Sequence, residues 1–241
     1  MKLRPRQDRG TIPWQPEIFG HSVLGCPLEV WKPAGDCKIL IFAGIHGEEA
    51  EATFLLSRTL RLLSEPSPHC AVVLAMNPDG LIRGTRCNAN GVELNRNFPT
   101  KSWSPDPVPH RSSMTSPRDI LLSPGSEPAS EPETKALLSL INELSPASII
   151  AMHAPLACIE DPYEKPLSKW LSKKTNLPLV GDVGYPTPGS FGTWCAENGM
   201  NDITYELPLM APSTIVEQQS PVFLQILTHE NFGDGDPDMT S

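Results

Sequence analysis

Lys38-Ile39-Leu40-Ile41-Phe42-Ala43-Gly44-Ile45-His46-Gly47-Glu48-Glu49 passes from an apolar, β-branched run into a glycine-flanked histidine and two carboxylates. The run reads as a buried strand. From Glu48 to Leu63 the apolar residues Ala52, Leu55, Leu56, Leu60 and Leu63 recur at helical spacing, so a helix follows the strand directly.

The same alternation continues outward. Cys70 to Met76 reads as a second strand, stopped by a turn at Asn77-Pro78-Asp79-Gly80. Ser148 to Met152 is a third strand and ends at His153. Ser130 and Glu133 have capping-box spacing for a helix over Glu131 to Leu144. A helix is expected near Glu164 to Thr175, a strand near Leu179 to Val183, and a helix over Phe191 to Asn198 that stops at Gly199. Asp202 to Glu206 is a further strand. The last helix, Thr214 to His229, carries Pro221, which should kink or split it. Strands alternating with helices predict an α/β fold, a three-layer α/β/α domain over residues 1–241 with a mostly parallel sheet. Two segments stand apart. Residues 99–132 hold eight prolines and many serines and read as a long loop or flap, and residues 233–241 read as a mobile tail.

The chain has 241 residues, with 19 Lys and Arg against 28 Asp and Glu, a net charge of −9. That balance argues against a nucleic-acid partner or an anionic membrane surface. No apolar run approaches the roughly 20 residues that span a bilayer. The charged N-terminal stretch has no apolar core behind it, so no signal peptide is expected. Six scattered cysteines without a Cys-x-x-Cys pair read as reduced thiols, and together these features predict a cytoplasmic protein. Proline is abundant, 27 residues, and reads as many rigid loops in a chain of otherwise globular composition.

In sheets of this kind ligands bind beyond the carboxyl ends of the strands, which directs attention to His46, Asn77, His153 and Glu206. His46 and Glu49, three apart across a strand end and a first helical turn, can converge on one cation; the alternative is a solvated His beside a capping Glu. His153, if not merely a hydrogen-bonded core residue, completes a His₂Glu set for one zinc ion per chain. Three protein ligands leave a coordination position for water, the catalytic arrangement. Glu206, in an apolar strand, is costly unless paired or used, and near such a water it is a candidate general base. Arg86, Asn95 and Arg96 lie in a locally basic stretch suited to an anionic substrate group or an oxyanion.

His46-x-x-Glu49, Arg86, Asn95-Arg96, His153, Tyr185 and Glu206 resemble, in type and order, the zinc carboxypeptidase family. The resemblance implies that family's mixed, mostly parallel twisted sheet. It implies zinc ligation by His46, Glu49 and His153, Glu206 as general base and acid, and Arg86 as the oxyanion-stabilising arginine. Asn95 and Arg96 would grip the substrate's terminal carboxylate, and Tyr185 would be a mobile substrate-binding tyrosine. Segments such as Ala89 to Pro99, Leu156 to Pro162 and Pro186 to Gly192 resemble the family's bacterial members that trim recycled cell-wall peptides. That closer likeness implies hydrolysis of the γ-D-glutamyl–meso-diaminopimelate (Dap) bond of the free tripeptide L-Ala-γ-D-Glu-meso-Dap, a small-peptide partner, and a possible homodimer. Glu160 and Asp161 are candidates to read the far end of Dap, or else they make a turn before Pro162. Two other readings stand beside this one. Asn95-Arg96-Asn97-Phe98 also resembles the succinylglutamate desuccinylase and aspartoacylase group, and a metal-free peptide-binding protein could share the fold.

Overall fold

The computed structural model describes residues 3–111 and 119–229. Along the chain come β1 (Glu17–His21), β2 (Pro27–Trp31), β3 (Ile39–Phe42), α1 (Ala50–Leu60), β4 (Cys70–Val73) and α2 (Pro78–Arg83). They are followed by β5 (Val108–Arg111), β6 (Asp119–Leu122), α3 (Pro132–Leu144), β7 (Ser148–His153), β8 (Ile159–Glu160) and α4 (Pro166–Thr175). Last are β9 (Leu179–Val180), α5 (Phe191–Glu197), β10 (Asp202–Glu206) and α6 (Pro212–Thr228).

Eight strands form one sheet in the order β1-β2-β4-β3-β7-β10-β8-β9. Its centre, β4-β3-β7-β10, is parallel, while β1, β2 and β8 join antiparallel. The central strands show why they are buried on both faces. Ile39, Ile41, Cys70, Val72, Ile150 and Met152 point into a core closed by α1, α4 and α6. Leu40, Phe42, Ala71, Val73, Ile149 and Ala151 point into a second core closed by α3 and α5. A strand with helices on both sides has no polar face to show, so the runs read as continuously apolar.

Connectivity then fixes where a ligand can sit. From β3 the chain reaches β4 through α1 on one face. From β4 it returns to β7, on the other side of β3, through α3 on the opposite face. The gap beyond the carboxyl ends of β3 and β7 is therefore the topological switch point.

Several expectations are corrected. The segment after β4 is a short helix, because Asn77 Oδ1 accepts the Gly80 N–H at 2.9 Å and Pro78 occupies the first helical position. The capping box does not form: Glu131 is the N-cap of α3 without a side-chain cap, and Glu133 instead accepts from the Val23 N–H at 3.0 Å and from Asn88. α6 runs through Pro221 as one helix. Strands β1, β2 and β8 extend the sheet beyond the runs that periodicity marks. The proline-rich stretch carries a two-stranded hairpin, β5 against β6. The tail over 233–241, and residues 112–118 of the proline-rich stretch, lie outside the described residues. All six cysteines are free thiols, and no helix among the described residues is long and apolar enough to cross a membrane.

Candidate active site

The turn that follows β3 holds His46 and Glu49 at the switch point. Gly47 makes it possible, since a Cβ there would lie 2.1 Å from the Gly80 carbonyl carbon. Glu49 stands at the N-cap of α1 but does not cap it. Its carboxylate turns to the histidines: Oε1 lies 2.7 Å from His46 Nδ1 and Oε2 lies 3.0 Å from His153 Nδ1. The two Nδ1 atoms are 3.2 Å apart, and all three side chains are buried. If both nitrogens donate to Glu49 their protons face each other, and if either is bare it faces a lone pair. A cation at the centre resolves both conflicts. The edge of a tetrahedron with zinc bonds of about 2.0–2.2 Å is about 3.3–3.6 Å, close to the spacings observed. The three donors thus fit a zinc ion, and among the described residues they are the set that could hold a metal. Burial raises the Glu49 carboxyl, but His46 and His153 outweigh it and hold the group well below its ordinary value.

Glu206 is placed by strand pairing. In the parallel β7–β10 ladder it stands opposite His153, at the carboxyl ends of both strands. Its Oε2 accepts the Leu156 N–H at 3.2 Å, and burial raises its pKa. Arg86 Nη1 lies 3.3 Å from both Glu48 Oε1 and Glu49 Oε1, while its Nε donates to Glu93. Asn95 and Arg96 lie in a short 3₁₀ turn tied to α5, since Asn95 Oδ1 accepts the Phe191 N–H at 2.8 Å. Gly189, with φ of +70°, closes this tie: a Cβ there would sit 2.3 Å from the Arg96 carbonyl oxygen. Tyr185 stands exposed on the 181–190 loop, with Arg96 and Glu206 among its charged neighbours. The structure therefore brings His46, Glu49, His153, Glu206, Arg86, Asn95 and Arg96 to one end of the sheet, with Tyr185 at the rim.

A family profile described as zinc carboxypeptidase matches residues 17–181. The chain belongs to the zinc carboxypeptidase family. Murein peptide amidase A of Escherichia coli K12 is 47% identical over 209 residues, 85% of this chain and 86% of that protein. The protein of the same name from Vibrio campbellii is 42% identical over 234 residues, 95% of this chain and 94% of that one. The crystal structure of murein-tripeptide amidase from E. coli O157 superposes with a TM-score of 0.92 at 40% identity, covering 96% of this chain and 99% of that one. Carboxypeptidase A from Helicoverpa armigera, at 18% identity and a TM-score of 0.67 over 88% of this chain and 66% of that one, shares the fold. Membership makes the chain a hydrolytic enzyme.

Glu93 and His110, which the sequence does not single out, also lie at the candidate site of this zinc carboxypeptidase. Glu93 is buried between Arg86 and His46, with Oε1 3.0 Å from His46 Nε2 in an orientation too oblique for a good hydrogen bond. The same oxygen accepts the Asn95 N–H at 3.0 Å. Burial alone would raise its pKa, but His46 and Arg86 hold it well below the ordinary value, so Glu93 is ionised. One carboxylate therefore lies against His46, anchors Arg86 and holds the start of the 3₁₀ turn. Glu93→Gln should lower kcat/KM by about 10–100-fold, the range for carboxylates behind metal-bound histidines, with a visible loss of metal affinity. A carboxylate two residues before Asn95-Arg96 was the available signal. His110 of the β5–β6 hairpin also reaches the rim, with Nε2 3.6 Å from Glu48 Oε1.

The two acids weighed for the far end of Dap separate. Asp161 is wholly buried and accepts the N–H groups of Tyr163 and Lys165 and the hydroxyl of Ser168, so it builds the turn into α4. Glu160 pairs in register with Thr204, two residues before Glu206 on β10. Two residues below Thr204, Asp202 is pushed up to about 8 by burial, with Glu160 and Asp161 adding to the effect. This carboxyl keeps its proton in the folded chain and loses it in the unfolded chain, whose ordinary value is 3.8. Its contribution is therefore fully present below about pH 4 and is lost as pH rises to about 8. Asp202→Asn should raise Tm relative to the wild type at pH 8, by a margin that shrinks toward zero near pH 4. The upper limit of the effect is about 6 kcal/mol. Thermal melts across this range, with equal margins at both ends, would contradict the assignment.

Proposed function

We propose that this zinc carboxypeptidase is a cytoplasmic amidase that hydrolyses the γ-D-glutamyl–meso-Dap bond of the free murein tripeptide L-Ala-γ-D-Glu-meso-Dap in peptidoglycan recycling. One zinc ion per chain is held by His46, Glu49 and His153. The observation that carries the reading is the convergence of these three donors beside Glu206 and Arg86, in a chain 42–47% identical to murein peptide amidases.

When bound, zinc would acidify a water molecule and polarise the scissile carbonyl. Glu206 takes the proton of the attacking water and returns it to the leaving nitrogen. Its burial favours this task, because a carboxyl raised above its ordinary value is a stronger base. Arg86, fixed by Glu93, faces the oxygen on which negative charge develops. Arg96 and Asn95 hold the α-carboxylate of the leaving Dap and so set the amide in register with Glu206. Arg96 is buried, and a desolvated guanidinium binds a carboxylate more tightly than an exposed one. Tyr185 contributes to substrate binding from the rim.

The desuccinylase-type reading is not favoured, since the high-identity relatives that cover nearly the whole chain carry the murein amidase name. A metal-free binding role is not favoured either, because three side chains able to hold a metal lie together and Glu206 stands opposite His153 at the strand ends. The test is direct. Zinc-loaded protein should release free Dap from the tripeptide and leave N-succinyl-L-glutamate intact. Release of succinate with no release of Dap would overturn the proposal.

A further inference from the structure

The proline-rich stretch reaches the candidate site through its hairpin. In the β5–β6 ladder His110 stands opposite Ile120. Ser123, directly after β6, bridges to Val92 and accepts the Glu93 N–H at 2.8 Å. The base of the hairpin is thus tied to the residue whose carboxylate anchors Arg86. On the other strand His110 Nε2 lies 3.6 Å from Glu48 Oε1. The same oxygen lies 3.3 Å from Arg86 Nη1. Glu48 Oε1 is therefore flanked by the imidazole of the hairpin and the guanidinium of the site.

Arg86 is held at its root and at one nitrogen of its head. Its carbonyl accepts from Asn77 Nδ2 at 3.2 Å and from the Gly47 N–H at 3.4 Å, which fixes the main chain beside the turn that carries His46. Its Nε donates to Glu93, a single contact about which the guanidinium can still swing. A second contact at a separate nitrogen fixes the plane. Nη1 has two carboxylates in reach, Glu48 and Glu49, each at 3.3 Å. Glu49 Oε1 also lies 2.7 Å from His46 Nδ1 and belongs to the metal-donor set, so its hold on the arginine is contested. Glu48 is outside that set and can serve the arginine alone. Its side chain is 38% exposed, against 14% for Arg86 and 22% for His110. A carboxylate this open holds a cation weakly by itself, and His110 against the same oxygen narrows the positions that it can take. Among the described residues Nη2 of Arg86 makes no hydrogen bond or ion pair. It is the donor left for a ligand.

Resting on the functional reading above, we infer that Glu48, steadied by His110 of the β5–β6 hairpin, is a positioning residue for Arg86. Glu93 and Glu48 together fix the guanidinium plane, so that Nη2 is presented to the oxygen on which negative charge develops. Orientation of this kind acts in the transition state, where a group misplaced by about 1 Å can cost on the order of 10²-fold. The ground-state hold on the α-carboxylate rests with Arg96 and Asn95 and is not affected. Glu48 and His110 do not touch the reacting atoms and act only through Arg86. The proline-rich segment thereby takes a part in the reaction, as a brace for the arginine at the rim.

The test is a set of single and double variants assayed on L-Ala-γ-D-Glu-meso-Dap. Glu48→Ala should lower kcat by about 10-fold, with KM within about twofold of wild type and zinc stoichiometry unchanged by metal analysis. Glu48→Gln keeps an oxygen acceptor for Nη1 and should lose only about 2–3-fold. His110→Ala should lower kcat by about 3-fold and add nothing further to Glu48→Ala. Arg86→Ala should lose about 10²–10³-fold. Adding Glu48→Ala to it should cost less than about twofold more, because nothing remains to be positioned. Glu48 and His110 lie on different segments, so a folding defect in one variant leaves the other informative. A loss of full size in the Arg86→Ala background, a Glu48→Ala defect confined to KM, loss of zinc from Glu48→Ala, or wild-type kcat in that variant would overturn the positioning role while leaving the amidase reading intact. Failure of zinc-loaded wild type to cleave the Dap tripeptide would overturn the amidase reading itself and this inference with it.

Discussion

Glu206→Gln should retain zinc at the wild-type stoichiometry and lose tripeptide hydrolysis by about 10³–10⁴-fold. The glutamine is nearly isosteric, so the Leu156 N–H keeps an oxygen acceptor at its 3.2 Å position. What disappears is the one base placed opposite His153 at the strand ends. Positioned proton transfer contributes roughly 10²–10⁴-fold, and Glu206 is asked to supply it twice, to the water and to the leaving nitrogen. The loss should fall on kcat, with KM little changed, because the variant leaves Arg96 and Asn95 in place to hold substrate. Activity within tenfold of wild type would remove Glu206 from the mechanism.

Metal removal should be equally severe and should have a second, physical readout. Dialysis against a zinc chelator should abolish hydrolysis, and one equivalent of zinc should restore it. His153→Ala should show the same loss without restoration at stoichiometric zinc. In the emptied site His46, Glu49 and His153 crowd within 2.7–3.2 Å of one another. Burial and Arg86 lower the His46 pKa, but Glu49 and Glu93 outweigh them and raise it to about 9, so a proton takes the place of the ion and must leave when zinc binds. Zinc should therefore bind more tightly as pH rises toward 9. Binding to the folded chain alone also stabilises it, by about 4 kcal/mol at a thousandfold excess over Kd, so the apo protein should melt at lower temperature. Full activity after complete chelation would contradict the account.

Much of this arrangement can be read from the chain without coordinates. The central strands are continuous apolar runs because helices cover both faces, and the metal donors are legible because they lie where such runs stop. β1 is illegible for a physical reason. Glu17–His21 is an edge strand with no buried residue, and its register shifts between Ile18 and Gly20 where the chain makes room for Ala136 of α3. Strand β8 is only two residues long and takes its pairing from β10. The capping-box spacing at Ser130 and Glu133 misleads because Val23 and Asn88, distant in sequence, claim the Glu133 carboxylate. Glu93 and Asp202 escaped notice for a related reason. An isolated acid in a polar stretch, or at the start of a strand, has no pattern of its own, and only tertiary packing reveals that one is clamped between Arg86 and His46 and the other carries a buried Oδ1 without a hydrogen-bond partner.

The central claim is that water, activated beside Glu206 at a metal held by His46, Glu49 and His153, attacks the γ-D-glutamyl carbonyl. Hydrolysis of the tripeptide in ¹⁸O-water, read by mass spectrometry, tests it most directly. The account predicts L-Ala-D-Glu carrying a single heavy oxygen on its γ-carboxyl group, together with unlabelled Dap. An intact tripeptide in the presence of fully zinc-loaded protein, or label on the carboxyl group of released alanine, would contradict it.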